Sequence, residues 1–165
     1  MKVFIEEQRF TQTWLIVILG FSLIVPLYVM GKEFFNENSN MSSTEFIVTI
    51  LAIAFSVGFI FLFKLKTRID EVGIHYQFLP FHFSYKIIKW NEIEKATVRI
   101  YDPIGEYGGW GLKGGAFWNK GKGKCINVSG DIGIQLVLKN DKKLLIGTQK
   151  KEEATQVLKK YINND

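Results

Sequence analysis

The chain has 165 residues, room for one domain plus a small membrane module, and a net charge of +5. Residues 1–63 hold 3 Lys and Arg against 5 Asp and Glu, whereas residues 64–165 hold 18 against 11, so the basic excess lies wholly in the second part. That excess points to an anionic neighbour, with lipid headgroups the nearest candidate, and the single cysteine, Cys125, excludes an intrachain disulfide.

Residues 1–9 mix Val3, Phe4 and Ile5 with four charges, a composition suited to lying along an inner membrane surface. Two charge-free apolar stretches follow, Phe10 to Gly31 and Phe46 to Phe63. A bilayer core takes roughly 20 mostly apolar residues at about 1.5 Å of rise each, and both stretches fit. Apolar residues surround every side of both, which argues against a pair of core helices in a soluble protein. Glu6 and Glu7 occupy what would be the positive region of a signal peptide, and Tyr28-Val29-Met30 offers no small-residue cleavage site. The pattern predicts membrane helices over about 12–31 and 45–64, with residues 1–66 forming a transmembrane hairpin.

Charge sets the expected orientation. The connector Lys32 to Glu45 carries one basic residue against Glu33, Glu37 and Glu45, while Lys2 and Arg9 flank one side and Lys64, Lys66 and Arg68 the other. Basic flanks stay cytoplasmic, so the reading is a multi-pass integral protein of the cytoplasmic membrane with both termini inside. Ser42 or Ser43 suits the cap of the second helix, and Pro26 would kink the first. Trp14 and Tyr28, near the two ends of the first stretch, suit anchoring at the headgroup level or packing on the second helix. Gly20, Ala52, Ala54, Ser56 and Gly58 are small enough to let helices approach closely.

Past Lys64 the period changes to two. Ile74, Tyr76 and Phe78 alternate with polar residues, Leu79-Pro80 breaks the run, and Phe81, Phe83, Tyr85 and Ile87 alternate again, which predicts a hairpin. Further strands are expected over 96–101, 125–129, 132–139 and 143–147, with Asn140-Asp141 as a tight turn. Ala154, Val157, Leu158, Tyr161 and Ile162 share one face of a closing helix, with acids in its first turn, lysines in its last and Thr148 as N-cap. The expected fold class is α+β: a transmembrane hairpin followed, over 67–165, by an antiparallel barrel or sandwich of about seven strands with a C-terminal helix.

Short strings in this part carry a resemblance. Ile88-Lys89-Trp90-Asn91-Glu92-Ile93 resembles a strand-end "W-x-E-I" of the bacterial PH-like membrane proteins. Tyr107-Gly108-Gly109-Trp110-Gly111, Asn127-Val128-Ser129-Gly130 and Leu145-Ile146-Gly147-Thr148-Gln149 resemble strings of an uncharacterised branch with two membrane helices. The resemblance implies a PH-like cytoplasmic domain. PH-like domains bind phosphoinositides, peptides or proteins, and no ligand residue carries over from this branch.

Chemistry is sparse. His75 and His82 fall in paired strands without a third ligand, so no metal is expected. Lys124 precedes Cys125, yet no base accompanies it. No catalytic set, cofactor motif or Gly-x-Ser-x-Gly elbow is present. The segment Gly111 to Lys124 is acid-free and rich in Gly and Lys, but the five residues between Gly115 and Gly121, and Gly123 after Lys122, break a Walker A loop. What remains is a basic loop with interleaved aromatics. Lys113, Lys120, Lys122, Lys124 and Trp118 are its candidate ligand residues, since lysines near an anionic surface contribute ~1 kcal/mol each and aromatics insert at the interface. Trp110 reads as a packing residue between glycines. With no aromatic ladder on a sheet face, nucleic acid is not an expected partner. The expected function is a non-enzymatic, membrane-anchored binding or scaffolding module, with lipid, a membrane-protein partner or a second copy as its contacts. The alternative is an accessory subunit of a larger membrane enzyme or transporter, docked through the hairpin.

Overall fold

The computed structural model describes residues 3–37, 39–114 and 122–162, and the chain divides into two compact units, residues 1–9 with 63–165 and residues 10–62.

The sheet-rich unit starts earlier than the sequence suggests. Phe4–Arg9 forms strand β1 and pairs antiparallel with β2 (Lys64–Ile69), Arg9 lying opposite Lys64 and Phe4 opposite Ile69. Residues 1–9 therefore belong with this unit and are not part of the hairpin. The cause is an inverted pattern: Phe4, Glu6 and Gln8 point inward and Ile5, Glu7 and Arg9 outward. Burying a carboxylate is costly unless donors meet it. Glu6 Oε2 accepts from Thr148 Oγ1 at 2.6 Å, its Oε1 accepts from Gln149 N at 2.7 Å, and Gln8 Nε2 donates to Gly147 O at 2.8 Å. Thr148, expected as a helix cap, is thus committed to Glu6, and its Oγ1 accepts from Lys150 N.

β2 alternates with Leu65, Thr67 and Ile69 buried. It pairs with β3 (Gly73–Leu79), which pairs with β4 (Lys86–Lys89), completing a four-stranded antiparallel sheet in the order β1-β2-β3-β4. The second sheet holds β5 (Ile93–Ile100), β6 (Gly111–Lys113), β7 (Lys124–Asn127), β8 (Ile132–Leu138) and β9 (Lys143–Gly147) in the order β5-β8-β9-β7-β6. Its pairs are antiparallel except β7 with β9, which run parallel. Three expectations are corrected here. The sheets do not close into a barrel, the pairing is not all antiparallel, and nine strands stand among the described residues where about seven were expected.

Between β5 and β6 lies a short helix, α3 (Pro103–Tyr107), capped by Asp102, whose Oδ1 accepts from Ile104 N, and ended by Gly108 in the left-handed region. The closing helix α4 (Lys151–Ile162) buries Ala154, Val157 and Leu158 as its periodicity predicts, against β5 with further contact to β1 and β8. The W-x-E-I string is structural. Trp90–Glu92 forms a 3-10 turn between β4 and β5, the Trp90 ring stacks on Tyr161 at 5.2 Å, and its Nε1 donates to Asp70 O.

The second unit is a pair of helices, α1 (Thr13–Phe34) and α2 (Ser43–Phe59), the latter prolonged by a 3-10 turn at Ile60–Leu62. Ser42 caps α2 in a capping box: Ser42 Oγ accepts from Glu45 N at 3.2 Å, and Glu45 Oε2 accepts from Ser42 N at 2.9 Å. Phe34 and Phe46 stack at 4.3 Å across the connector. No residue of either helix is buried. Ser22, Thr49 and Ser56 donate their hydroxyl protons to backbone carbonyls of their own helix, so these polar groups are satisfied without water. A Cβ at Gly20 or Gly58 would meet nothing within 4 Å in this chain, so these glycines are not points where α1 and α2 approach each other closely.

Candidate functional site

The basic loop is held at both ends by β6 and β7, where Lys113 pairs with Cys125. Lys113 is half-buried, and Lys122 and Lys124 are exposed. Lys120 and Trp118 lie outside the described residues. The glycines here serve close backbone approach rather than a phosphate cradle. A Cβ on Gly114 (φ +120°) would lie 2.6 Å from Lys124 Cα, and one on Gly123 (φ +80°) would collide with the backbone of Lys143. That second approach follows from the parallel β7–β9 pairing, which sets Lys124 beside Leu144. It brings Lys142 and Lys143, both exposed, to the same end of the sheet as Lys122 and Lys124. Sequence reasoning missed these two lysines, because no local signal reveals a parallel pairing across an intervening strand.

The β3–β4 connection joins this basic end. His82 is held below its usual pKa, first by burial and then by the charges of Lys86 and Lys124. Its Nδ1 accepts from Phe78 N at 3.2 Å, which requires the neutral ring. His75 is placed elsewhere, with Nε2 2.9 Å from Asp70 Oδ1. Burial would raise the Asp70 carboxyl, but hydrogen bonds from His75 and the Val72 and Gly73 amides outweigh it and hold it below the ordinary value. Among the described residues no group of three His, Cys, Asp or Glu could hold a metal.

Around Cys125 of β7 lies a closed polar and aromatic cluster. Tyr101, Tyr107, Cys125 and Leu145 pack together, Asn127 Nδ2 donates to Tyr101 Oη at 2.6 Å, and Tyr107 Oη donates to Lys122 O at 3.3 Å. Burial pushes the Cys125 thiol up to about 12, so it is a protonated structural side chain and not a nucleophile. Arg99 Nη2 lies 2.7 Å from Glu106 Oε2, and this bonding holds the Glu106 carboxyl down to about 2. Trp110 is half-buried and donates from Nε1 to Gly130 O at 3.0 Å.

The residues expected at a membrane interface divide into two sets. Trp14 is 50% and Tyr28 70% exposed on α1. Lys64, Lys66 and Arg68 are strand residues of β2 with carboxylate partners: Lys64 Nζ lies 3.0 Å and Lys66 Nζ 3.9 Å from Glu7, and Arg68 Nε lies 2.9 Å from Asp70. Hydrogen bonds from Arg9 and Lys64 hold the Glu7 carboxyl below its usual value.

A separate open groove of about 260 Å³ lies between β5 and α4, lined by Ala96, Thr97, Val98, Thr155, Leu158, Lys159 and Ile162. Its polar lining is one cation, Lys159, and two hydroxyls, Thr97 and Thr155.

No protein-family model and no curated protein matches this chain.

Proposed function

We propose that this protein is a membrane-tethered, non-enzymatic binding module. In this reading α1 and α2 cross the cytoplasmic membrane, both termini stay inside, and the sheet-rich unit, of PH-like type, presents its lysine-bearing end to anionic lipid headgroups. The observation that carries it is the helical pair itself. Helices of 22 and 20 residues expose apolar side chains on all sides and bury none, and at about 1.5 Å per residue each reaches the thickness of a bilayer core, ~30 Å. The pairing of Arg9 with Lys64 supports one side for the whole sheet-rich unit, because the chain leaves β1 and re-enters β2 at adjacent points. Tethering keeps the lysine end at high effective concentration near the headgroups, so weak contacts suffice.

Hydrogen exchange on the full chain in nanodiscs tests the lipid contact. Residues 122–127 should exchange more slowly with phosphatidylglycerol present than in pure phosphatidylcholine, and added salt or Lys113→Gln, Lys122→Gln and Lys124→Gln together should remove the difference. Equal exchange in both lipids contradicts it. The fully exposed helix surface equally favours burial against other helices in a larger membrane complex. Copurification of a stoichiometric partner after mild detergent extraction would favour that second reading.

A further inference from the structure

Among the described residues of the sheet-rich unit, the β3–β4 connection carries three exposed aromatic rings. Sequence alternation places Phe81, Phe83 and Tyr85 in a strand, but only Lys86–Lys89 pairs, and the three rings stand on a loop. Phe83 is 92% exposed, Phe81 57% and Tyr85 44%. The loop is built rather than loose. Gln77 Nε2 donates to the carbonyls of His82 at 3.2 Å and Phe83 at 3.0 Å, and His82 N donates to Phe78 O at 2.8 Å. The carbonyls of His82 and Phe83 are thus bonded from within while three aromatic rings stand exposed, the reverse of an ordinary solvent loop.

Two observations point to the chemistry that would cover these rings. The Phe81 ring centroid lies 5.8 Å from that of Phe63, and Phe63 directly follows Leu62, the last residue of the second apolar helix. A headgroup layer is about 5–8 Å deep on each side of the hydrocarbon core, so this contact is shorter than or comparable to the layer itself. In charge, too, the segment suits an anionic surface: residues 72–91 contain no Asp or Glu, and the nearest charges felt by the loop's His82 are Lys86 and Lys124.

We propose that the β3–β4 loop is a membrane-insertion element, with Phe81, Phe83 and Tyr85 entering the headgroup–acyl boundary of the bilayer that α1 and α2 cross, beside Lys86 and Lys124. This rests on the spanning role proposed for the helices and adds a second, independent attachment that fixes how the sheet-rich unit meets the surface. Aromatic rings with flanking lysines are the composition that partitions to that boundary.

The test uses the full chain in vesicles of phosphatidylcholine and phosphatidylglycerol, with a nitroxide at one introduced cysteine and collision rates measured for oxygen and for a water-soluble nickel chelate. Native Cys125 is fully buried and takes no label. Phe83→Cys is the test site. Glu71→Cys is the aqueous control, since it lies beyond the Ile69–Ile74 end of β2 and β3, opposite the Lys64–Leu79 end. Ile24→Cys in α1 reports on the spanning helix. The oxygen-to-nickel ratio at Phe83 should exceed that at Glu71 several-fold, with Ile24 higher still. A Phe83 ratio equal to that of Glu71, with Ile24 lipid-like, overturns the insertion alone. Low access to both reagents at Phe83 marks a protein contact and also overturns it. Aqueous values at both Phe83 and Ile24 overturn the spanning role as well.

Discussion

Arg9 and Lys64 are register partners across β1 and β2, although the whole helical unit separates them in the chain. Glu7 fastens the junction, with Arg9 Nη2 at 2.9 Å and Lys64 Nζ at 3.0 Å from its Oε1. The helices are therefore an insertion into what would otherwise be an ordinary β-hairpin.

That arrangement can be tested by replacement. A variant in which Asn-Gly replaces residues 10–63 should fold as a water-soluble sheet domain, because a two-residue turn of that type closes antiparallel neighbours. The fragment 67–165 should not fold, since it lacks β1 and half of β2. Within the full chain Phe4→Ala should cost about 3–5 kcal/mol, as Phe4 is almost wholly buried. Cooperative thermal unfolding followed by circular dichroism separates these outcomes, and an equally cooperative transition for 67–165 would show that β1 is dispensable.

The Arg99–Glu106 pair predicts a loss of stability in acid. Glu106 is depressed to about 2 in the folded chain, against roughly 4.3 for an unperturbed glutamate. Its contribution is complete above the unfolded value and is lost as pH falls through the folded one. Glu106→Gln should flatten the stability profile between about pH 4.3 and 2 and should cost on the order of 1 kcal/mol at neutral pH. Denaturant midpoints across that range provide the measurement.

Protonating His82 should loosen the β3–β4 loop. Its folded value lies below 6.5, so the neutral form and its bond from Phe78 N are favoured at neutral pH. That contribution is present above about 6.5 and is lost as pH falls through the lower folded value. After correction for intrinsic rates, exchange of the Phe78 amide should quicken on acidification, and His82→Gln should abolish that dependence.

Cys125 should resist alkylation by iodoacetamide in the folded chain at pH 8, with its thiol protonated and fully buried. It should react at once in denaturant. A mass shift in the native chain would contradict the closed cluster of Tyr101, Tyr107 and Leu145 around it.

Much of the fold was legible where one face carries a clean pattern. The apolar helices, the face of α4, the core of β3 and the Asn140-Asp141 turn, with Asp141 at φ 62°, follow from local chemistry. β2 was equally legible in Lys64-Leu65-Lys66-Thr67-Arg68-Ile69, but its cations read as a membrane flank. α3 was not among the expected elements, although Asp102-Pro103 and Gly108 supply a cap, a first-turn proline and a stop. β1 was not legible, because its inward residues include Glu6 and Gln8, whose partners lie at the far end of the chain. The same limit hid the basic end: Lys122 and Lys142 converge through a parallel pairing that leaves no local trace. Phe81 and Phe83 misled in the opposite sense, since alternation in a loop resembles alternation in a strand.

The central claim is that the helical pair crosses a membrane with the sheet-rich unit wholly on one side. Labelling of single cysteines in intact cells by a membrane-impermeant maleimide tests it most directly. Asn40→Cys in the connector and Glu71→Cys in the β2–β3 turn are both exposed sites. The account predicts that Asn40→Cys reacts from outside and that Glu71→Cys reacts only after the membrane is permeabilised. Reaction of both sites from outside, or of neither until permeabilisation, would contradict it.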